Sequence, residues 1–149
     1  MDKPTHLVEF ETMLLGRYSI HQRYRGDGTR LERSAYILLS RLAMEGPMSI
    51  GQLSEAFGLD ASTLNRQTAA LLRAELVERI PDPDGGMARK FRITPTGEHR
   101  LETERAANIE GLQRVMADWS PDDVATFANY LKRLNTDIER LGGQPWPRP

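Results

Sequence analysis

Ser62, Asn65 and Arg66 lie three and one residues apart, with Thr63 and Gln67 interleaved. At helical spacing, such side chains do hydrogen-bond chemistry on the edges of base pairs. An α-helix enters the major groove only if its leading face carries no bulky apolar side chain, and only donors and acceptors distinguish the bases there. Arg66 can pair bidentately with guanine O6 and N7, and Asn65 with adenine N6 and N7, each good pair giving about 1–3 kcal/mol of discrimination. Ser62 supplies a short polar contact, and Thr63 and Gln67 suit phosphate oxygens. Any one of these residues taken alone equally suits an ordinary solvated helix face. The reading rests on the group.

The flanking residues form elements that can position that group. Ser49 and Gln52 make a reciprocal S-x-x-Q capping box that opens a short helix with Ile50, Leu53 and Ala56 on one face. Gly58 falls where a turn needs positive φ, with Phe57 and Leu59 as apolar anchors beside it, and Asp60 is placed to cap a second helix. Leu64, Thr68, Leu71 and Leu72 then point inward, leaving Ala61, Ser62, Asn65, Arg66 and Ala69 outward. Next come a strand of Val77, Glu78, Arg79 and Ile80, the turn PDPDGG, and a return over residues 88–93. Proline and glycine forbid helix there. On the return, Phe91 and Ile93 alternate with Lys90 and Arg92 and can pack inward, and with Arg89 the three cations make a basic wing suited to an electronegative minor groove. Asp82 and Asp84 lack the further oxygen ligands and distal glutamate of a calcium loop.

The chain has 149 residues, 39% of them hydrophobic, enough for one domain with its own core. Its net charge of −1 is unhelpful for binding phosphates, but the charge is unevenly spread. Between residues 61 and 93, Arg66, Arg73, Arg79, Arg89, Lys90 and Arg92 outnumber Glu75, Glu78, Asp82 and Asp84. Arg17, Arg23, Arg25, Arg30 and Arg33 are opposed locally by Asp27 and Glu32, while Asp118, Asp122 and Asp123 cluster elsewhere. Modest affinity per subunit and steep salt dependence are expected. The absence of cysteine excludes disulfides and thiolate metal sites, and His6, His21 and His99 are not spaced to hold a metal. G-x-S-x-G, H-E-x-x-H and G-x-x-x-x-G-K are all missing, so neither an enzyme nor a cofactor is expected. The longest apolar run is residues 35–39, which predicts a soluble cytoplasmic protein without a membrane partner.

Four more segments read as helices and a fifth as a tail. At the end, Ser120, Pro121 and Asp123 give three coincident start signals. Val124, Phe127, Leu131, Leu134, Ile138 and Leu141 follow at three-and-four spacing, a heptad seam that needs a partner helix. Either a neighbour in the same chain or a second copy satisfies it; Arg133, Asp137, Glu139 and Arg140 flank it suitably for an intersubunit contact, and self-association is expected. Residues 5–24 carry Leu7, Phe10, Leu14, Tyr18 and His21 on one side. Thr29 and Glu32 make a second capping box before a helix with Leu31, Ala35, Leu38, Leu39 and Leu42 inward, closed by Gly46 and Pro47. Thr94 and Pro95 start a long helix through Leu101, Leu112, Val115 and Met116 to about Trp119. The organisation is thus 1–48 N-terminal helices, 49–94 winged helix-turn-helix, 95–142 C-terminal helices pairing with the N-terminal ones, and a glycine- and proline-rich tail, 143–149, predicted to fray, with no place assigned to Trp146.

The string LLRAELVERIPDPDGGMARKFRITPTGEHRL resembles the recognition-helix end, wing and following helix of the MarR family of bacterial transcriptional regulators. The likeness includes Leu71, Leu76 and Val77 and the close formed by Ile93, Thr94 and Gly97, and it extends over residues 7–141. In one respect the chain departs from the family: the usual Asp-Arg-Arg at the wing tip would fall on Gly85, Gly86 and Met87, so the tip contact moves to Arg89 or Lys90, or is weaker. The resemblance implies a mainly α fold with a β-hairpin wing, assembled as a six-helix homodimer whose first and last helices interleave. It also implies a repressor of near-palindromic double-stranded DNA, released by a small, often phenolic effector. Such a dimer presents recognition helices roughly 34–36 Å apart. For the effector, Arg17, Tyr18, His21 and Tyr36 offer a cation, a switchable imidazole and aromatic surface suited to an aromatic acid; equally, the tyrosines suit plain packing and Arg17 a surface charge. The balanced net charge also suits a winged helix that binds another protein; an architectural, sequence-blind DNA binder is a third reading.

Overall fold

The computed structural model describes residues 1–18 and 31–149. The elements in order are α1 (Thr5–Arg17), α2 (Arg33–Glu45), α3 (Ile50–Phe57), α4 (Ala61–Arg73), β1 (Val77–Ile80), β2 (Lys90–Ile93), α5 (Pro95–Val115) and α6 (Pro121–Gly142). The two strands pair antiparallel, Val77 opposite Ile93 and Ile80 opposite Lys90. Six helices and a small hairpin match the mainly α, winged architecture read from the residues.

Leu38, Leu39, Leu42, Leu53, Leu64, Leu71, Leu76, Val77, Phe91 and Leu101 make one core, to which α2, α3, α4, β1, β2 and α5 all contribute. Helix α2 packs on both α5 and the wing, so it is the spine of the lobe. Its start differs from the sequence reading. Glu32 is the N-cap residue, not the acceptor of a capping box, because the amide of the buried Leu31 donates to the Glu104 carboxylate at 3.0 Å and pins the chain to α5 before the helix begins. Thr29 lies outside the described residues. Helix α5 also stops sooner than expected, at Val115, its last amides giving way to turns through Trp119.

Two junctions hold the hairpin to the helices. After α4 the chain turns through Glu75, a non-glycine residue at φ 61°. Thr94 then binds both sides of the gap, its hydroxyl donating to the Glu75 carbonyl at 2.8 Å and accepting from the Gly97 amide at 2.9 Å. Gly97 runs so close to this turn that a Cβ there would strike the carbonyl oxygen of Leu76, which is backbone and cannot step aside. Gly97→Ala is therefore expected to cost about 1–3 kcal/mol, the usual range for overpacking. A thermal melt checks it: a melting point equal to that of the parent protein would mean the approach is looser than drawn.

Helices α1 and α6 bury no residue. Leu7 and Phe10 on α1, and Phe127, Leu131, Leu134, Ile138 and Leu141 on α6, are exposed, Ile138 at 58% and Leu141 at 80%. Phe127 touches Trp119 edge-on with ring centroids 5.6 Å apart. A helix with this much ordered apolar surface on one face is built for a partner.

The tail does not project freely. Gly143, at φ 70°, ends α6 in a left-handed turn, and the chain folds back so that Trp146 stacks on Phe57 with centroids 5.5 Å apart and planes 15° from parallel. The Arg41 guanidinium carbon lies 4.8 Å from the indole centroid. Gly and Pro content argued for fraying; an aromatic anchor with two partners overrides it. Arg148 pairs with Glu139, and that pairing, helped by the Trp146 amide, holds the Glu139 carboxyl at about 2, so it stays charged throughout the neutral range.

Candidate nucleic-acid interface

Local chemistry sets the helix-turn-helix. Ser49 accepts from the Gln52 amide at 3.2 Å and Gln52 returns the bond to the Ser49 amide at 2.9 Å, the complete capping box expected. Gly58 takes φ 65° at the turn. Leu59 is a correction: its side chain is exposed, and what braces the turn there is its carbonyl, which accepts from the Ser54 hydroxyl at 2.5 Å. Asp60 occupies the N-cap position of α4 without a side-chain capping bond, its carbonyl instead taking the Thr63 and Leu64 amides.

Helix α4 has two unlike faces. Leu64, Thr68 and Leu71 are buried, and the Thr68 hydroxyl is satisfied by the Leu64 carbonyl at 2.8 Å. Ser62, Asn65 and Arg66 are exposed together on the other side, with Thr63 and Gln67 half-buried at its edges. Arg66 Nη2 reaches the Thr63 hydroxyl at 3.4 Å, a contact weak enough to give way to a base or phosphate.

On the wing the three expected cations part company. Lys90 lies 3.4 Å from the Asp82 carboxylate with little of either side chain exposed, and Arg92 is paired with Glu78 across the strands. Asp82 is held below the ordinary carboxylate range, first by the Asp84 amide and also by Lys90. Arg89, by contrast, is exposed and has no ion-pair partner among the described residues. Arg79, absent from the sequence reading of the site, lies over the Phe91 ring at 5.4 Å and faces solvent on the same hairpin. Only its i, i+12 relation to Phe91 across the register would have found it, and that needs the strand pairing first.

Three of the four residues expected to meet an effector are described. Tyr36 is half-buried against the core, Arg17 and Tyr18 are exposed at the end of α1, and His21 lies outside the described residues. A cleft of about 570 Å³ lies elsewhere, between the end of α2, α3, the wing and the tail, lined by Arg41, Met48, Gln52, Lys90 and Gln144 among others. No helix among the described residues is long and apolar enough to cross a membrane, and they contain no metal-binding cluster.

This arrangement recurs in known proteins. The MarR family model matches residues 31–85, from the start of α2 to the wing tip. The chain is 36% identical over 134 residues to the uncharacterized HTH-type transcriptional regulator YxaD of Bacillus subtilis (strain 168), covering 89% of this chain and 93% of that protein. A MarR family protein from Bacillus stearothermophilus superposes with a TM-score of 0.70 at 22% identity, over 93% of this chain and 99% of its own. The PcaV transcriptional regulator of Streptomyces coelicolor, solved in complex with its natural ligand, gives 0.65 at 21% identity, over 91% and 95%. With YxaD matching over nearly the whole chain at 36% identity, and with a capped helix-turn-helix and a basic hairpin in sequence, the protein belongs to the MarR family of DNA-binding transcriptional regulators.

Proposed function

We propose that the protein is a homodimeric repressor that reads a near-palindromic double-stranded operator with α4 and releases it when a small aromatic acid binds. The observation that carries the DNA half of this reading is the division of α4: a buried face of Leu64, Thr68 and Leu71 holds it rigid while Ser62, Asn65 and Arg66 stand clear of the lobe. Arg66 takes guanine, Asn65 adenine, and Thr63 and Gln67 the flanking phosphates. On the wing Arg89 carries the backbone contact, since Lys90 and Arg92 already share their charge with carboxylates. The exposed apolar seams of α1 and α6 meet those of a second copy. PcaV with its natural ligand supports a small-molecule trigger; here it would draw on Tyr36 and the end of α1, and it needs to favour the non-DNA geometry by about 1–3 kcal/mol. A protein acting on bacterial DNA works in the cytoplasm.

Titration of a labelled random duplex at two salt concentrations tests the DNA reading. Affinity that falls steeply as salt rises is expected, with Arg89→Ala lowering the logarithmic salt slope by about one per subunit and weakening all sequences alike. Absence of binding at either salt concentration would point instead to a winged helix that docks on another protein.

A further inference from the structure

The tail after α6 joins two parts of the molecule that otherwise share little. Helix α6 buries no residue of its own, yet its far end reaches the helix-turn-helix through residues 144–148. On the α6 side, the Trp146 amide donates to Glu139 Oε1 at 2.7 Å and Arg148 pairs with the same carboxylate. On the lobe side, the indole stacks on Phe57, the last residue of α3, and covers the Arg41 guanidinium of α2. The Gln144 amide lies over Gly58, near enough that a Cβ at position 58 would sit 2.6 Å from it. Arg41 explains why the indole is needed. It is only 6% exposed, gives one nitrogen to Glu45 at 2.9 Å, and keeps Nε and Nη1 without a hydrogen-bond partner. A buried cation in that state is costly unless something electron-rich covers it, and an indole face does so. The strap also leaves the reading face open, since Ser62, Asn65 and Arg66 remain exposed.

We propose that Trp146 is a positioning residue for operator recognition: seated between Phe57 and Arg41, it fixes the angle at which the DNA lobe hangs from α6 and so sets the half-site spacing that the dimer accepts. This rests on the reading of the protein as a dimeric operator reader. In a two-fold dimer each base pair inserted between half-sites moves them apart by about 3.4 Å and rotates one against the other by about a tenth of a turn. A strapped lobe cannot follow such a change, whereas a lobe released from its strap can. Freedom has a cost at the correct spacing, because the angle must then be fixed on binding.

The test compares the full-length protein with Trp146→Ala, Trp146→Phe and a chain ending at Gly142, on the operator selected from random DNA and on versions with one base pair added or removed between half-sites. Loss of the stack and of the cation–π contact leads us to expect about tenfold weaker binding of Trp146→Ala at the native spacing, a clearly smaller penalty for altered spacing, and recovery of both in Trp146→Phe. A purely structural role would weaken every spacing in proportion. Unchanged spacing penalties in Trp146→Ala and in the truncated chain, both still dimeric, overturn the strap and leave the DNA reading standing; a parent protein that selects no operator overturns both. In a Trp119→Phe background, acrylamide quenching of Trp146 reports the strap without DNA. Shielding is expected, and quenching as ready as that of a short tryptophan peptide would also overturn the proposal.

Discussion

Leu134→Glu is expected to leave the protein monomeric and to abolish operator binding at concentrations where the parent protein saturates the site. Leu134 sits in the middle of the α6 seam, 43% exposed in the single chain. A glutamate there does not disturb the lobe, whose core draws nothing from α6. In the dimer, however, the same carboxylate is placed twice against apolar surface without a partner, and a buried unpaired charge costs several kcal/mol. Two half-sites held by one linked pair of lobes gain roughly 10²–10⁴ in avidity over a single lobe. That factor is what the substitution removes. Sedimentation equilibrium and a mobility shift on the same sample check it, together with a melt showing the lobe still folded. A dimer that survives Leu134→Glu would move the interface off the seam.

Arg66→Ala is expected to weaken operator binding by about 1–3 kcal/mol per half-site and to relax one base position in each, leaving the other positions as selective as before. Arg66 is exposed on the leading half of α4, and its contact to the Thr63 hydroxyl is long. Its loss therefore leaves folding unchanged, and any effect on DNA is an effect of the contact itself. Binding measured with each of the four bases at each position separates this from a phosphate contact, whose loss would lower all four together. Uniform loss would reassign Arg66 to the backbone.

Much of this was legible in the residues because the local rules and the fold agree. Ser49 with Gln52, Gly58, Ser120 with Pro121, and Thr94 with Pro95 each mark a boundary by chemistry that needs no tertiary help, and each stands where expected. The inward leucines of α2 and α4 follow from periodicity alone. What was not legible depends on long-range contacts. Glu104 is a charged residue on a helix facing the core, and the approach of the Leu31 amide, 73 residues away, helps to make that position tolerable. The sorting of Arg89 from Lys90 and Arg92 required knowing that Asp82 and Glu78 fold opposite the latter two. Trp146 sits in a sequence of glycine and proline that reads as loose, and its partners Phe57 and Arg41 are remote in the chain. For the effector residues the sequence offers chemistry without a place: Tyr36 packs partly against the core, and Arg17 and Tyr18 are exposed at the end of α1.

Selection of preferred sites from a pool of random duplexes tests the central claim, that α4 lays its polar edge on bases while a second copy does the same one turn of DNA away. The result expected is a two-fold symmetric motif whose half-sites are centred about 10 base pairs apart, with guanine and adenine at the positions facing Arg66 and Asn65. Recovery of a single unpaired half-site would contradict the dimer, and a pool that shows no enrichment would contradict the reading of bases altogether.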